Sequence, residues 1–157
     1  MIDKYEEIVE RFKVFIESNS KYNARVVKYN TNTSTYFPIV TCVLDDNRDT
    51  DYCTNDKIEF YEAHYFIINI YTKDKNVTVT KEQNGEEIES IEKVASQVIN
   101  NELTKLTIQF FNQLNMKRTL CKYTPNLDTS VLRRTINYQC LIGNARGNII
   151  RRWNNGF

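Results

Sequence analysis

The 157-residue chain is 41% apolar and 26% charged, with only four glycines and two prolines. These values exclude disordered and fibrous architectures and fit a single domain with its own core. The formal net charge of +1 hides a split: residues 116–157 hold eight basic side chains against one acid, Asp128, while the first 115 residues hold thirteen basic and nineteen acidic ones.

Tyr5, Ile8, Val9, Phe12, Phe15 and Ile16 recur at three- and four-residue steps, and Lys4, Glu6, Glu7, Glu10, Arg11, Lys13 and Glu17 fill the opposite side. The pattern predicts an amphipathic helix over residues 4–18. Asp3 and Glu6 have capping-box spacing, and Ser18-Asn19-Ser20 supplies the stop. Over residues 24–73 the period falls to two, and 25–29, 37–44 and 57–73 are strand candidates. Pro38 makes the start of the second an edge or a bulge. In the third, Phe66, Ile68 and Ile70 share one face while Tyr65, Ile67, Asn69 and Tyr71 share the other. A strand apolar on both sides is covered twice or pressed against a neighbouring subunit, which makes Tyr65, Ile67 and Tyr71 candidate interface residues. The polar stretch 45–56 between these strands reads as a surface loop.

Residues 77–80 suit a short strand, and Gln83-Asn84-Gly85 a turn. Ile88, Ile91, Val94, Ala95, Val98, Ile99, Leu103, Leu106, Phe110 and Leu114 then trace an apolar stripe through about 28 residues of helix, with Asn100-Asn101 as the place for a bend. A strand over 118–123, a turn over 124–128 and a long alternating strand follow. In that last strand Leu132, Arg134, Ile136, Tyr138, Cys140 and Ile142 face one way, and Arg133, Thr135, Asn137 and Gln139 the other. The expected class is α+β, a mixed and mainly antiparallel sheet of about five or six strands packed against two amphipathic helices. One domain over residues 1–143 is followed by a basic tail over 144–157.

The residues offer little chemistry. His64 is the only histidine and sits in an apolar strand, where a packed imidazole is the ordinary outcome, and a nucleophile pair with Cys42 or Cys53 has nothing else behind it. Cys42, Cys53, Cys121 and Cys140 are far apart, form no C-x-x-C and lack zinc-site spacing, so they read as free thiols, mostly buried. Asp45, Asn47, Asp49 and Asp56 hold positions 1, 3, 5 and 12 of an EF-hand loop. Thr50 replaces its turn glycine, Asp56 is shorter than a bidentate Glu, and the flanks are strand-like, so a solvated acidic loop is expected. Phosphate-loop, dinucleotide, zinc-protease and nucleophile-elbow motifs are missing. No enzymatic activity, cofactor or metal is expected. Nor does any apolar run approach the ~20 residues of a bilayer span, and the first residues lack a basic segment leading into an apolar one, which predicts a soluble protein made inside a cell.

An acidic body with a basic end docks head to tail against copies of itself, or offers the basic end to a polyanion. Both readings favour assembly over catalysis. Tyr123, Tyr138 and Trp153 interleave with the basic residues, as in single-strand binders, but Tyr138 falls on the apolar face. The isoelectric point near 7.6 is also well below that of a dedicated nucleic-acid module. A duplex passing through a basic ring needs only long-range attraction. Arg133, Arg134, Arg146, Arg151 and Arg152 are candidates to line such a lumen or to meet an acidic neighbour, and the sequence does not rank them.

The run Ile68-Asn69-Ile70-Tyr71-Thr72-Lys73-Asp74, the long helix after it, and Tyr123-Thr124-Pro125-Asn126-Leu127-Asp128-Thr129 leading into Arg134-Thr135-Ile136-Asn137-Tyr138 resemble the bacteriophage tail terminator, or tail completion, family. The resemblance follows element order over residues 1–145. It implies a mixed α/β subunit in a hexameric ring that caps the tail tube, ends its polymerisation and joins the tail to the head-neck complex. The partners it implies are further copies of the chain, the tail tube protein, a head-completion or stopper protein, and genomic DNA passing through without sequence-specific contacts. It implies no membrane contact, a place at the neck end of the virion tail after assembly in the host cytoplasm, and no catalytic residues. The segment 144–157 and the acidic loop after Leu44 depart from the family pattern. Another head-tail connector, such as a neck or stopper protein, and a nucleic-acid-binding module are the alternatives.

Overall fold

In the computed structural model, which describes residues 4–28, 36–45, 50–53, 60–126 and 128–143, the N-terminal apolar stripe becomes helix α1, Lys4–Asn19. Ile8, Val9, Phe12 and Ile16 bury almost completely along one side. The last turn is closed by the Ser20 amide donating to the Ile16 carbonyl at 2.9 Å and the Asn19 side-chain amide donating to the Phe15 carbonyl at 2.7 Å. The Ile16 carbonyl would otherwise lack a partner within the helix. Asp3 of the expected capping box lies outside the described residues.

Strands β1 (Arg25–Val27), β2 (Ile39–Asp45), β3 (Thr50–Cys53) and β4 (Phe60–Thr72) follow. Pro38 lies just ahead of β2, where its carbonyl accepts the Arg25 amide at 3.2 Å. After β4 come β5 (Lys75–Gln83), β6 (Glu86–Val94), helix α2 (Ser96–Gln113), β7 (Lys117–Thr124) and β8 (Leu132–Gly143). Six strands form one sheet in the order β1-β2-β4-β8-β7, with β3 beside the first residues of β4; β5 and β6 form a separate two-stranded ribbon. Only β1 and β2 pair in parallel. The fold is α+β, a mixed sheet packed against two helices.

Period-two alternation in β4 and β8 sets the layers. The register places Phe66 opposite Tyr138, Ile68 opposite Ile136 and Ile70 opposite Arg134, so one face of both strands turns toward the helices. Phe12 of α1, Phe110 and Phe111 of α2, Phe66 and Tyr138 meet there. Phe111 stacks on Tyr138 at 4.5 Å between ring centroids and lies 5.3 Å from Phe12 and 6.0 Å from Phe66. These spacings fall in the range where aromatic pairs add to simple burial. Ile99 and Leu103 of α2 are fully buried beside them.

Four expectations are corrected. The second helix does not start near Ile88, because residues 86–94 form β6, and α2 begins at Ser96. Asn84 (φ 55°) and Gly85 (φ 78°) supply the two left-handed residues that a tight hairpin turn demands. Ladder bonding to β5 across nine residue pairs then outweighs the helical spacing of two isoleucines. The short strand expected over 77–80 is correspondingly longer and runs over Lys75–Gln83. Part of the expected loop 45–56 is the strand β3, paired with β4; residues 46–49 and 54–56, with most of the candidate calcium ligands, lie outside the described residues. Helix α2 runs unbroken through Asn100-Asn101, where a bend was expected. The tail 144–157 also lies outside the described residues.

Candidate functional site

The two adjacent arginines of β8 leave the sheet on opposite faces, as alternation dictates. Arg134 sits on the helix side, at the rim of the core. Its guanidinium donates to the Thr104 hydroxyl at 3.0 Å, to the Asn101 side-chain carbonyl at 3.2 Å and to the Tyr123 hydroxyl, and lies 4.2 Å from the centre of the Tyr123 ring. Each of these contacts is with a neutral group, so they fix the cation in place without cancelling its charge.

A hydrogen-bond chain behind Arg134 ties it to the fold. Thr104 donates to the Asn100 carbonyl at 2.7 Å. The fully buried Asn100 side chain donates to the Ile70 carbonyl and the Thr72 hydroxyl, both at 3.3 Å, and Thr72 donates to the Ser96 carbonyl at 3.0 Å. Buried polar groups that find partners in this way fix the seating of helix on sheet.

Arg133 points to the other face. It donates to the Asn69 side-chain carbonyl at 3.1 Å and lies 5.4 Å from the Tyr71 ring centre. Asn69 also accepts from Thr135 at 2.7 Å, and Thr135 pairs with Thr124 at 2.6 Å. Tyr71 is buried with Ile39 and Val131, beside the half-buried Val27 and Phe37, while Tyr65 and Ile67 are half-buried on the same face. Tyr65 accepts from Gln139 at 2.8 Å. Among the described residues, Thr41 Oγ1 and Asn137 Oδ1 on this face are buried without a hydrogen-bond partner. The three candidate interface residues therefore share one face, but Tyr71 is already enclosed by its own chain.

The basic segment concentrates on one end of the sheet. Strand β7 is terminal in the strand order, and Lys117, Arg118 and Lys122 are exposed along it. Asp128, the acid of that segment, lies in the β7–β8 connection and accepts from the Ser130 hydroxyl and amide at 2.6 and 3.0 Å, with Lys73 at 3.2 Å. Its carboxyl is held down at about 2, chiefly by the two Ser130 hydrogen bonds and then by Lys73. Arg146, Arg151 and Arg152 lie outside the described residues, as do the side chains of His64, Cys53 and Cys140. Cys42 is a free, fully buried thiol, pushed up to about 12 by burial, whereas Cys121 is free and exposed.

Ribbon β5–β6 carries the opposite sign. Each strand has nine residues, which gives an arm about 30 Å long. Its base is tied down by Lys75, which donates to the Tyr22 carbonyl at 2.7 Å, and by a Lys93–Asp74 pair at 3.3 Å. From Lys81 to Glu89 every residue is exposed. Glu82 stands directly across from Glu87, with Glu89 two positions along β6 from Glu87. Sequence reasoning missed this arm and the Asn100 chain. The signal for the arm was Asn84-Gly85 after the alternating Val77 and Val79; for Asn100 it was a polar residue on the same helical stripe as Leu103, Thr104, Thr107 and Phe111.

A groove of 510 Å³ between the helices, on the side away from the sheet, is lined by Arg11, Val14, Phe15, Phe110 and Gln113 among others. No group of three or more His, Cys, Asp or Glu placed to hold a metal occurs among the described residues. No described helix is long and apolar enough to cross a membrane. No protein-family model matches the chain, and a sequence comparison with curated proteins finds no significant match.

Proposed function

We propose that the chain is a structural subunit of a phage tail terminator ring. In this reading identical copies close into a ring, most simply a hexamer, that caps the tail tube, stops its growth and meets a head-completion or stopper protein. The observation that carries it is the spatial separation of charge. Residues 117–143 hold five basic side chains and one acid at one end of the sheet, while the arm β5–β6 projects five exposed glutamates, Glu82, Glu86, Glu87, Glu89 and Glu92, against two exposed lysines, Lys81 and Lys93. Surfaces of opposite sign at different places on one subunit suit repeated head-to-tail contact.

DNA would cross such a ring through long-range attraction to cations such as Arg134, with no base readout. A nucleic-acid-binding module is the second reading, supported by the exposed Tyr123 with Arg134 over its ring. It requires tight binding by the monomer that falls steeply with salt. Electron microscopy of the purified protein, alone and mixed with tail tubes, tests the proposal. Six-fold rings with a central hole are expected, and deleting the gene should leave heads and tails unjoined with tails of abnormal length. A strictly monomeric species in both states, or normal joined tails without the gene, refutes it.

A further inference from the structure

We infer that strand β6 of one subunit adds to the open edge of β7 of the next, so that the acidic arm is the plug and the cationic edge the socket of each subunit contact. The inference rests on the ring reading above and names the surfaces that would build it.

Four observations converge on this pair of strands. First, no described strand covers the outer edge of β7 or of β6, and an exposed edge is a template for another strand. Second, the lengths match, nine residues in β6 and eight in β7. Third, five large apolar side chains are exposed among the described residues, and three of them, Ile88, Ile91 and Tyr123, lie on these two strands. Strand addition would set each of them beside side chains of the neighbouring strand on its own face.

Charge is the fourth. Strand β6 carries Glu86, Glu87, Glu89 and Glu92 against one cation, Lys93 at its base, and β7 carries Lys117, Arg118 and Lys122 with no acid. Like charges facing each other across a ladder are destabilising, so β6 rejects a second β6 and β7 rejects a second β7. Between these two strands the unlike pairing remains, and it is heterologous, the type of contact that generates rings when its rotation closes. The arm alone is also poorly stabilised. A two-stranded ribbon is marginal in water, and this one sets Glu82 against Glu87. A cationic strand beside β6 relieves that repulsion.

The test uses two full-length variants, an arm variant (Glu86→Lys, Glu87→Lys, Glu89→Lys) and an edge variant (Lys117→Glu, Arg118→Glu, Lys122→Glu), compared with wild type by sedimentation velocity at equal concentration and salt. Each variant alone presents like charges at every contact and should need at least about tenfold more protein to assemble. An equimolar mixture presents unlike charges at every alternating contact and should assemble again. The single changes Glu89→Lys and Lys122→Glu, run the same way, replace any triple variant that loses its folded far-ultraviolet spectrum. Rings retained by both variants, or a mixture that stays dissociated, overturn this contact and leave the ring reading intact. A wild type that never assembles refutes the ring reading itself.

Discussion

Replacing Asn100 with alanine should destabilise the fold by about 2 kcal/mol while leaving the surface unchanged. The side chain is fully buried between α2 and β4, and its amide makes two neutral hydrogen bonds of 3.3 Å, to the Ile70 carbonyl and the Thr72 hydroxyl. Both are near the long end of the useful range, so together they contribute about 1 kcal/mol. Removing the amide group also opens a space of roughly 40 Å³, which at about 24 cal/mol per Å³ costs a further ~1 kcal/mol. For a domain of this size the total corresponds to a fall in Tm of about 4–8 °C. Urea unfolding followed by circular dichroism measures it, with an unchanged denaturant slope showing that the native state is intact. Thr104 bonds mainly the backbone carbonyl of residue 100, so Arg134 keeps its seat and assembly at low temperature should persist. A loss under about 0.5 kcal/mol would refute the structural role given to this asparagine.

The Asp128 carboxyl titrates at about 2 in the folded protein, below its ordinary 3.8. Its contribution to stability is therefore complete above the ordinary value and disappears as pH falls through about 2. Urea midpoints of wild type and Asp128→Asn should differ at neutral pH and converge in acid; a gap independent of pH would contradict the assignment. Under native conditions a thiol reagent should modify Cys121 promptly and reach Cys42 only on unfolding, as mass spectrometry of digested protein will show; rapid labelling of Cys42 would count against the core packing. Changing Arg146, Arg151 and Arg152 together to Glu should lower assembly onto tails and infectious yield, most strongly at low salt, whereas Arg151→Ala alone should do little because exposed pairs are worth only ~0–1 kcal/mol. Normal assembly and infection by the triple variant would mean that this charge is merely solvated.

What could be read from the sequence follows burial. Helix α1 and strands β4 and β8 were legible because one face of each packs into the core, and packing imposes a period on the residues that supply it. Arg133 and Arg134 could be put on opposite faces for the same reason. The partners of Arg134 could not, because Asn101 and Thr104 come from a helix about thirty residues earlier. The arm failed differently. Over residues 81–89 neither of its faces is buried, so no core enforced a period of two there, and Ile88 and Ile91 chanced on helical spacing. Its turn residues held the better information, since two successive left-handed conformations cannot occur inside a helix.

The pairing of β4 with β8 also sets the order in which this protein can form. Asn69 must find Thr135, 66 positions along the chain, and Tyr65 must find Gln139, 74 positions along. Closing loops of that length is slow and rewarded late, whereas β5 and β6 meet across a two-residue turn and α2 needs only its neighbours. On the ribosome the arm and both helices would therefore emerge with their local shape available while the apolar faces of α1, β2 and β4 wait for the last long strand. A chain that stops before Leu132 lacks β8, the strand that covers one edge of β4 and joins β7 to the sheet. Premature termination in this stretch should yield aggregation rather than a shortened subunit, which makes the C-terminal third the step that commits each copy to the native state.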